Sequence, residues 1–161
     1  MNIGITGHQR LDDESAWPWV ESALRSALSE VSSPLIGISS LAIGADQLFA
    51  KLVLARGGSL HVVLPFPDYI ETFATGADRK RYQEILARAS LVETLQASPS
   101  NQESFYAAGL RVVDRSDRLL AVWTGRKAAG LGGTGDIVSY ATTIGRATLH
   151  IDPVRREVHH L

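Results

Sequence analysis

The sequence predicts a Rossmann-like, doubly wound α/β fold: a mostly parallel sheet of about six strands with helices on both faces. Three observations carry the prediction. Short β-branched runs alternate with amphipathic stretches from one end of the chain to the other. The intervals between runs are long enough to hold the crossover helices that parallel pairing needs. No internal repeat, low-complexity tract or linker interrupts the alternation, so the 161 residues read as one domain, with 152–161 as a C-terminal tail. Crossovers are expected to be right-handed, with a strand order near 3-2-1-4-5-6 by analogy with dinucleotide-binding folds.

The first strand is Asn2-Ile3-Gly4-Ile5-Thr6. A helix follows, with Ser15 as its N-cap, Pro18 in the first turn, and Val20, Leu24, Ala27, Leu28 and Val31 at helical spacing. Leu35 to Ile38 reads as the second strand. Asp46 to Arg56 reads as a helix stopped by Gly57-Gly58. Leu60 to Leu64 is the third strand, ended by Pro65 and Pro67. Arg79 to Ala89 has Tyr82, Ile85, Leu86 and Ala89 on one side and reads as a helix. Leu91 to Thr94 is a short strand, Gln96 to Glu103 a polar loop, and Phe105 to Val113 a helix. Arg118 to Trp123 is a buried-type strand. The glycine loop Gly130 to Gly135 then opens a helix over Asp136 to Ile144, and Ala147 to Ile151 is the last strand, stopped by Asp152-Pro153.

Composition narrows the function classes. The chain is 45% apolar and 20% charged, and a chain of this size buries roughly 70% of its unfolded surface, enough for a core without staples. It has no cysteine, which excludes disulfides, Cys-ligated zinc, iron–sulfur clusters and thiol catalysis. No apolar run is long enough to span a bilayer, and Met1 leads directly into a strand-like stretch; a cytoplasmic location is expected. Sixteen Lys and Arg against 17 Asp and Glu give a formal charge of −1, hence no global attraction to nucleic acid or acidic membranes.

Ligand chemistry should lie outside the carboxyl ends of the parallel strands. Three loops there are built alike. One is Thr6-Gly7-His8-Gln9-Arg10, one runs from Ser39-Ser40 to Gly44-Ala45-Asp46, and one runs from Thr124-Gly125 through the glycine loop to Asp136. Glycine lets backbone approach a ligand, Ser and Thr add hydroxyl donors, and the following helix aims free N–H groups at whatever sits there. These are the parts of a phosphate site. G-x-G-x-x-G does not follow the first strand, and the second strand ends in Ser39-Ser40 where an NAD ribose would want an acid. G-x-x-x-x-G-K-[ST] is also missing from the sequence, which speaks against P-loop chemistry.

Gly4-Ile5-Thr6-Gly7-His8, the segment Ile38 to Asp46, Ser116-Asp117 before an apolar strand, and Gly132-Gly133-Thr134-Gly135-Asp136 together resemble the SLOG superfamily. That superfamily includes the Lonely-Guy (LOG) phosphoribohydrolases and the DNA-processing protein DprA. The resemblance runs in order from about residue 2 to residue 152. It implies a Rossmann-like fold that binds nucleotides or nucleotide-derived ligands, and a homodimer. The enzymatic branch carries a Gly-Gly-x-Gly-Thr-x-x-Glu loop and an arginine from the helix before the preceding strand. Here Gly133-Thr134 matches, but the acid is Asp136, one position closer and a methylene shorter. Arg111 and Arg115 lie in the corresponding helix. Ligand binding therefore carries over better than catalysis.

The resulting expectation is a ligand site of Thr6, Gly7, His8, Arg10, Ser39, Ser40, Gly44, Asp46, Gly132, Gly133, Thr134 and Gly135. If the chain is an N-glycosidic hydrolase, Asp136 would stabilise charge on the ribose and Arg111 would hold the phosphate. Each acid has a plainer role open to it: Asp136 and Asp46 can offset a helix dipole, and Asp117 can fix a turn. Tyr69 and Phe73 either stack a base or seal a core edge. Trp17 and Trp19 cover apolar surface or a dimer contact. Asp78-Arg79-Lys80-Arg81 is a solvated helix start or a basic rim. His159-His160 lacks metal-ligand spacing, and neither a metal nor a cofactor is assigned. Single-stranded DNA binding is the least favoured alternative, because the charge is near neutral and aromatic residues make up 7% of the chain.

Overall fold

The computed structural model describes residues 1–127 and 130–161. The chain runs β1 (Asn2–Gly7), α1 (Trp17–Ser29), β2 (Ile36–Ser39), α2 (Ala45–Ala55), β3 (Ser59–Leu64), α3 (Gly76–Leu86), β4 (Leu91–Thr94), α4 (Asn101–Asp114), β5 (Arg118–Val122), α5 (Thr134–Thr143), β6 (Ala147–Asp152) and β7 (Glu157–His160). Short 3-10 turns at Glu14–Ala16 and Tyr69–Thr72 precede α1 and α3. The strands form one seven-stranded sheet in the order β4-β3-β2-β1-β5-β6-β7, parallel except for β7. This is the doubly wound α/β architecture the alternation predicts.

Alternation along the strands divides the core between two faces. Ile3 and Ile5 of β1 pack with Leu120 and Val122 of β5 against α1 and α2, where Val20, Leu24, Phe49 and Val53 are buried. Leu60, Val62 and Leu64 of β3 continue this layer under α3. Ile38, Val63 and Leu119 point the other way, toward Ala108, Val112 and Val113 of α4 and Ile137 and Ala141 of α5. Asp117 takes the turn-fixing role open to it. Its carboxylate accepts from Asn2 N–H at 2.7 Å, and its own N–H donates to Asn2 O at 2.8 Å, locking β5 beside β1.

Several expectations need correction. The segment 91–94 does not sit beside β1; it extends the sheet beyond β3, with His61 opposite Leu91, and β5 takes the place next to β1. The expected tail contributes β7, antiparallel to β6, after a turn in which Asp152 accepts from Val154 and Arg155 N–H. Ser15 is not the cap of α1: its N–H and hydroxyl both donate to Asp13, which caps the preceding 3-10 turn. The polar stretch 96–103 already holds the start of α4, because Ser100 caps it and pairs with Glu103. Helix α3 starts at Gly76 for the same reason, with Thr75 and Asp78 as the reciprocal pair. The run 78–81 is a solvated helix start whose arginines meet Glu71 and Asp78.

The candidate functional site

The chain steps outward from β1 through β2 and β3 to β4, then returns to the opposite side of β1 with β5. The strand ends diverge where the direction reverses, and a cleft of about 1130 Å³ opens at their carboxyl ends. Thr6, Gly7, His8 and Arg10 line it from the loop after β1, and Ser40 and Asp46 from the loop after β2. Gly132, Gly133, Thr134 and Gly135 line it from the start of α5. Ten of the twelve expected ligand residues thus share one cavity. Ser39 is buried, and neither it nor Gly44 lines the cleft.

At α5 the donors are open. Gly133 is the N-cap and offers no capping side chain, and among the described residues the N–H groups of Thr134 and Gly135, which line the cleft, have no partner. Gly132 turns the chain into this position at φ +86°, where an added Cβ would sit 3.0 Å from Gln102 O and 3.1 Å from Tyr106 N. Asp136 holds the loop: its carboxylate accepts from Gly132 N–H at 3.0 Å. Among the described residues Asp136 does not line the cleft.

The β2–α2 loop is built differently. Its N–H groups point at a carboxylate of the chain itself. Asp46 is 7% exposed and receives Ser39 Oγ and Ser40 N, each at 3.1 Å, and Ala42 N. Burial outweighs these donors and raises the carboxyl to about 7. Ser39 Oγ in turn accepts from Leu41 N, and Leu41 holds the loop at φ +58°, a sparsely populated conformation for a non-glycine residue. Gly44 is needed behind it. At φ +84° an added Cβ would lie 2.4 Å from Gln9 O and 2.6 Å from His8 O. The expectation of an open anion cradle at this loop is therefore corrected: its donors are already occupied.

His8 bridges the two central loops. Its Nε2 accepts from Thr124 N at 3.1 Å, which leaves the ring proton on Nδ1, and its backbone N–H donates to Val122 O. Burial lowers its pKa, with a smaller opposing effect from Asp12, so the ring is neutral at physiological pH. It orients the β5 loop as a neutral hydrogen-bonding group.

Arg111 lies elsewhere. Its guanidinium is paired with Glu93 of β4, and Arg115 meets the same carboxylate at 3.3 Å. Among the described residues neither arginine lines the cleft, because this side of α4 faces the β4 edge. The hydrolase assignment thus joins two residues that do not line the cleft and whose side chains are engaged, Asp136 with Gly132 and Arg111 with Glu93.

The far wall was only partly foreseen. Phe66, Tyr69 and Phe73 after β3 and Phe105 of α4 line the cleft. Tyr69 and Phe73 also pack edge to face at 5.2 Å and meet Tyr82, so they seal the core and border the cavity at once. Phe66 and Phe105 lie 6.0 Å apart. Trp123, Arg126 and Lys127 after β5 complete the rim and were missed. Their position just beyond a strand end beside the glycine loop was the available signal. No group of His, Asp and Glu suited to a metal occurs among the described residues.

The strand order and the cleft at the carboxyl ends define a Rossmann-like α/β domain, and comparison with solved structures shows the same fold. DNA processing protein A (DprA) from Streptococcus pneumoniae superposes with a TM-score of 0.67 at 19% identity, over 92% of this chain and 49% of that one. The chain thus spans about half that protein's length. DprA from Helicobacter pylori, whose structure concerns single-stranded DNA binding, gives 0.69 at 16% identity, over 96% and 70% of the two chains. The Moco carrier protein from Chlamydomonas reinhardtii gives 0.54 at 18%, over 92% and 74%. No protein-family model and no curated protein sequence matches the chain.

Proposed function

We propose that this chain binds a nucleotide or nucleotide-derived ligand, gripping its phosphate and ribose at the carboxyl edge of the sheet. The observation that carries the reading is the convergence on one cleft of the uncapped α5 terminus and the β1 and β5 loops. Free N–H groups at a helix start, with the positive end of its dipole behind them, favour an anion. Arg10, after β1, and Arg126 and Lys127, after β5, line the same cavity and supply its positive charge. Phe66 and Phe105 offer apolar faces to a base. The volume, about 1130 Å³, admits a ligand larger than a free phosphate or a free base. Binding is favoured over N-glycosidic hydrolysis, because the carboxylate of Asp136 and the guanidinium of Arg111 are engaged with Gly132 and Glu93.

The test is retention and turnover in one experiment. The protein is incubated with nucleoside monophosphates, cyclic nucleotides, ADP-ribose derivatives and a single-stranded oligonucleotide, and bound and free species are followed by mass spectrometry. A nucleotide retained intact is the expected result. Release of free base and ribose 5-phosphate would make the chain a hydrolase, and retention of the oligonucleotide alone would make it a DNA-binding module. Gly133→Val and Thr134→Val should each weaken binding in calorimetry by about tenfold or more, with unchanged circular dichroism. Undiminished affinity in both variants would contradict the α5 assignment.

A further inference from the structure

Two polar side chains at the back of the cleft are buried and unexplained by a phosphate. Asp46 lines the cavity, and its carboxylate already receives Ser39 Oγ, Ser40 N and Ala42 N. A carboxylate has about four lone-pair sites, so these donors leave room for about one more. Tyr69 is 5% exposed and lines the same cavity, and among the described residues its hydroxyl makes no hydrogen bond and keeps accessible surface. Burial raises its pKa, and the nearby charge of Asp46 raises it further, so the phenol stays protonated and can donate. An acceptor and a donor thus line one cavity, near enough for the charge of Asp46 to act on the phenol. A phosphate would be repelled by the carboxylate. A neutral group bearing hydroxyls would satisfy both residues.

The sheet gives the order of these groups along a ligand. Neighbouring strands are about 4.8 Å apart, so an anion held between β5 and β1 lies roughly 7 Å from the end of β2 and roughly 12 Å from the end of β3. Asp46 stands at the end of β2; Phe66 and Tyr69 follow β3. In a nucleoside 5′-phosphate the sugar follows the phosphate and the base follows the sugar, which is the same sequence of positions. Strand β2 itself ends in Ser39-Ser40, and the acid absent there arrives from the first turn of α2.

Building on the nucleotide reading, we infer that Asp46 and Tyr69 make this cleft selective for ribonucleotides over 2′-deoxyribonucleotides. Asp46 accepts a hydrogen bond from the sugar diol, including its 2′ hydroxyl, and the Tyr69 hydroxyl donates to an oxygen of the same sugar. Removing the 2′ hydroxyl leaves a buried acceptor unpaired, which is how a polar site rejects an analogue lacking one group.

Calorimetry with the common ribonucleoside 5′-monophosphates and their 2′-deoxy counterparts tests this on the unaltered chain. For the base that binds, the ribo form should be tighter by about tenfold or more. Asp46→Asn should bring that ratio toward one, and Tyr69→Phe should weaken the ribo form severalfold while keeping the ring in the aromatic cluster. Equal affinity of ribo and deoxy forms for the unaltered protein would overturn the inference and leave nucleotide binding standing. Binding of neither series would overturn both. The ratio on the unaltered chain decides even if a variant fails to fold.

Discussion

Asp46 shows at the residue scale how one side chain can serve the fold and a ligand while costing stability. Its carboxyl titrates near about 7 in the folded chain against an ordinary value of 3.8. Between those values the folded protein keeps a proton that the unfolded chain has lost. Stability therefore falls as pH rises through this window, by up to about 1.4 kcal/mol per pH unit, and flattens above it. Chemical denaturation of the parent and Asp46→Asn should show the parent losing ground to the variant between about pH 4 and about pH 7. A difference independent of pH would contradict the burial of this carboxyl. The sequence presents Asp46 as a first-turn acid with two roles open. It cannot show that Ser39, seven positions back, swings its hydroxyl onto the carboxylate. That contact depends on Leu41 adopting a conformation that leucine rarely takes. His8 was a candidate ligand-binder for its place in the loop, and its bond to Thr124, across 116 residues of chain, is equally invisible to local reading.

Elements were legible where hydrophobic periodicity or a terminal signal marked them. Val20, Leu24, Ala27 and Leu28 fix α1, and all are buried in it. The start of α4 was hidden because the segment is polar, although Ser100 and Glu103 form a capping pair at the expected spacing. Strand β7 gave no signal because all its residues are exposed at the sheet edge, and no buried face imposed alternation. Helix α5 carries the prediction that belongs to this scale. Asp136 sits in its first turn and holds Gly132, so it should act on loop order and helix stability. Asp136→Ala should lower unfolding free energy by about 1 kcal/mol, together with a weaker ligand affinity. If the substitution left stability unchanged and abolished a measured base-releasing turnover, Asp136 would instead be the catalytic acid.

At the scale of the whole molecule, the parallel sheet was readable from alternation, but the position of each strand was not. Placing β4 outside β3 gives β5 the position beside β1, and this puts the direction change, and the cleft, between β1 and β5. Local composition around Leu91 to Thr94 carries no information about which neighbour it will find. The three glycine-bearing loops were nonetheless correctly grouped at one sheet edge, since every parallel strand delivers its following loop to the same side. What differs among them is occupancy: α5 offers free donors, whereas the start of α2 is filled by Asp46. The most direct test of the central claim is an amide chemical-shift titration of the isotope-labelled protein with the common ribonucleoside 5′-monophosphates. The account predicts saturable shifts concentrated at Gly7 to Arg10, Thr124 to Lys127 and Gly132 to Gly135. Shifts confined to other surfaces, or none at saturating nucleotide, would contradict it.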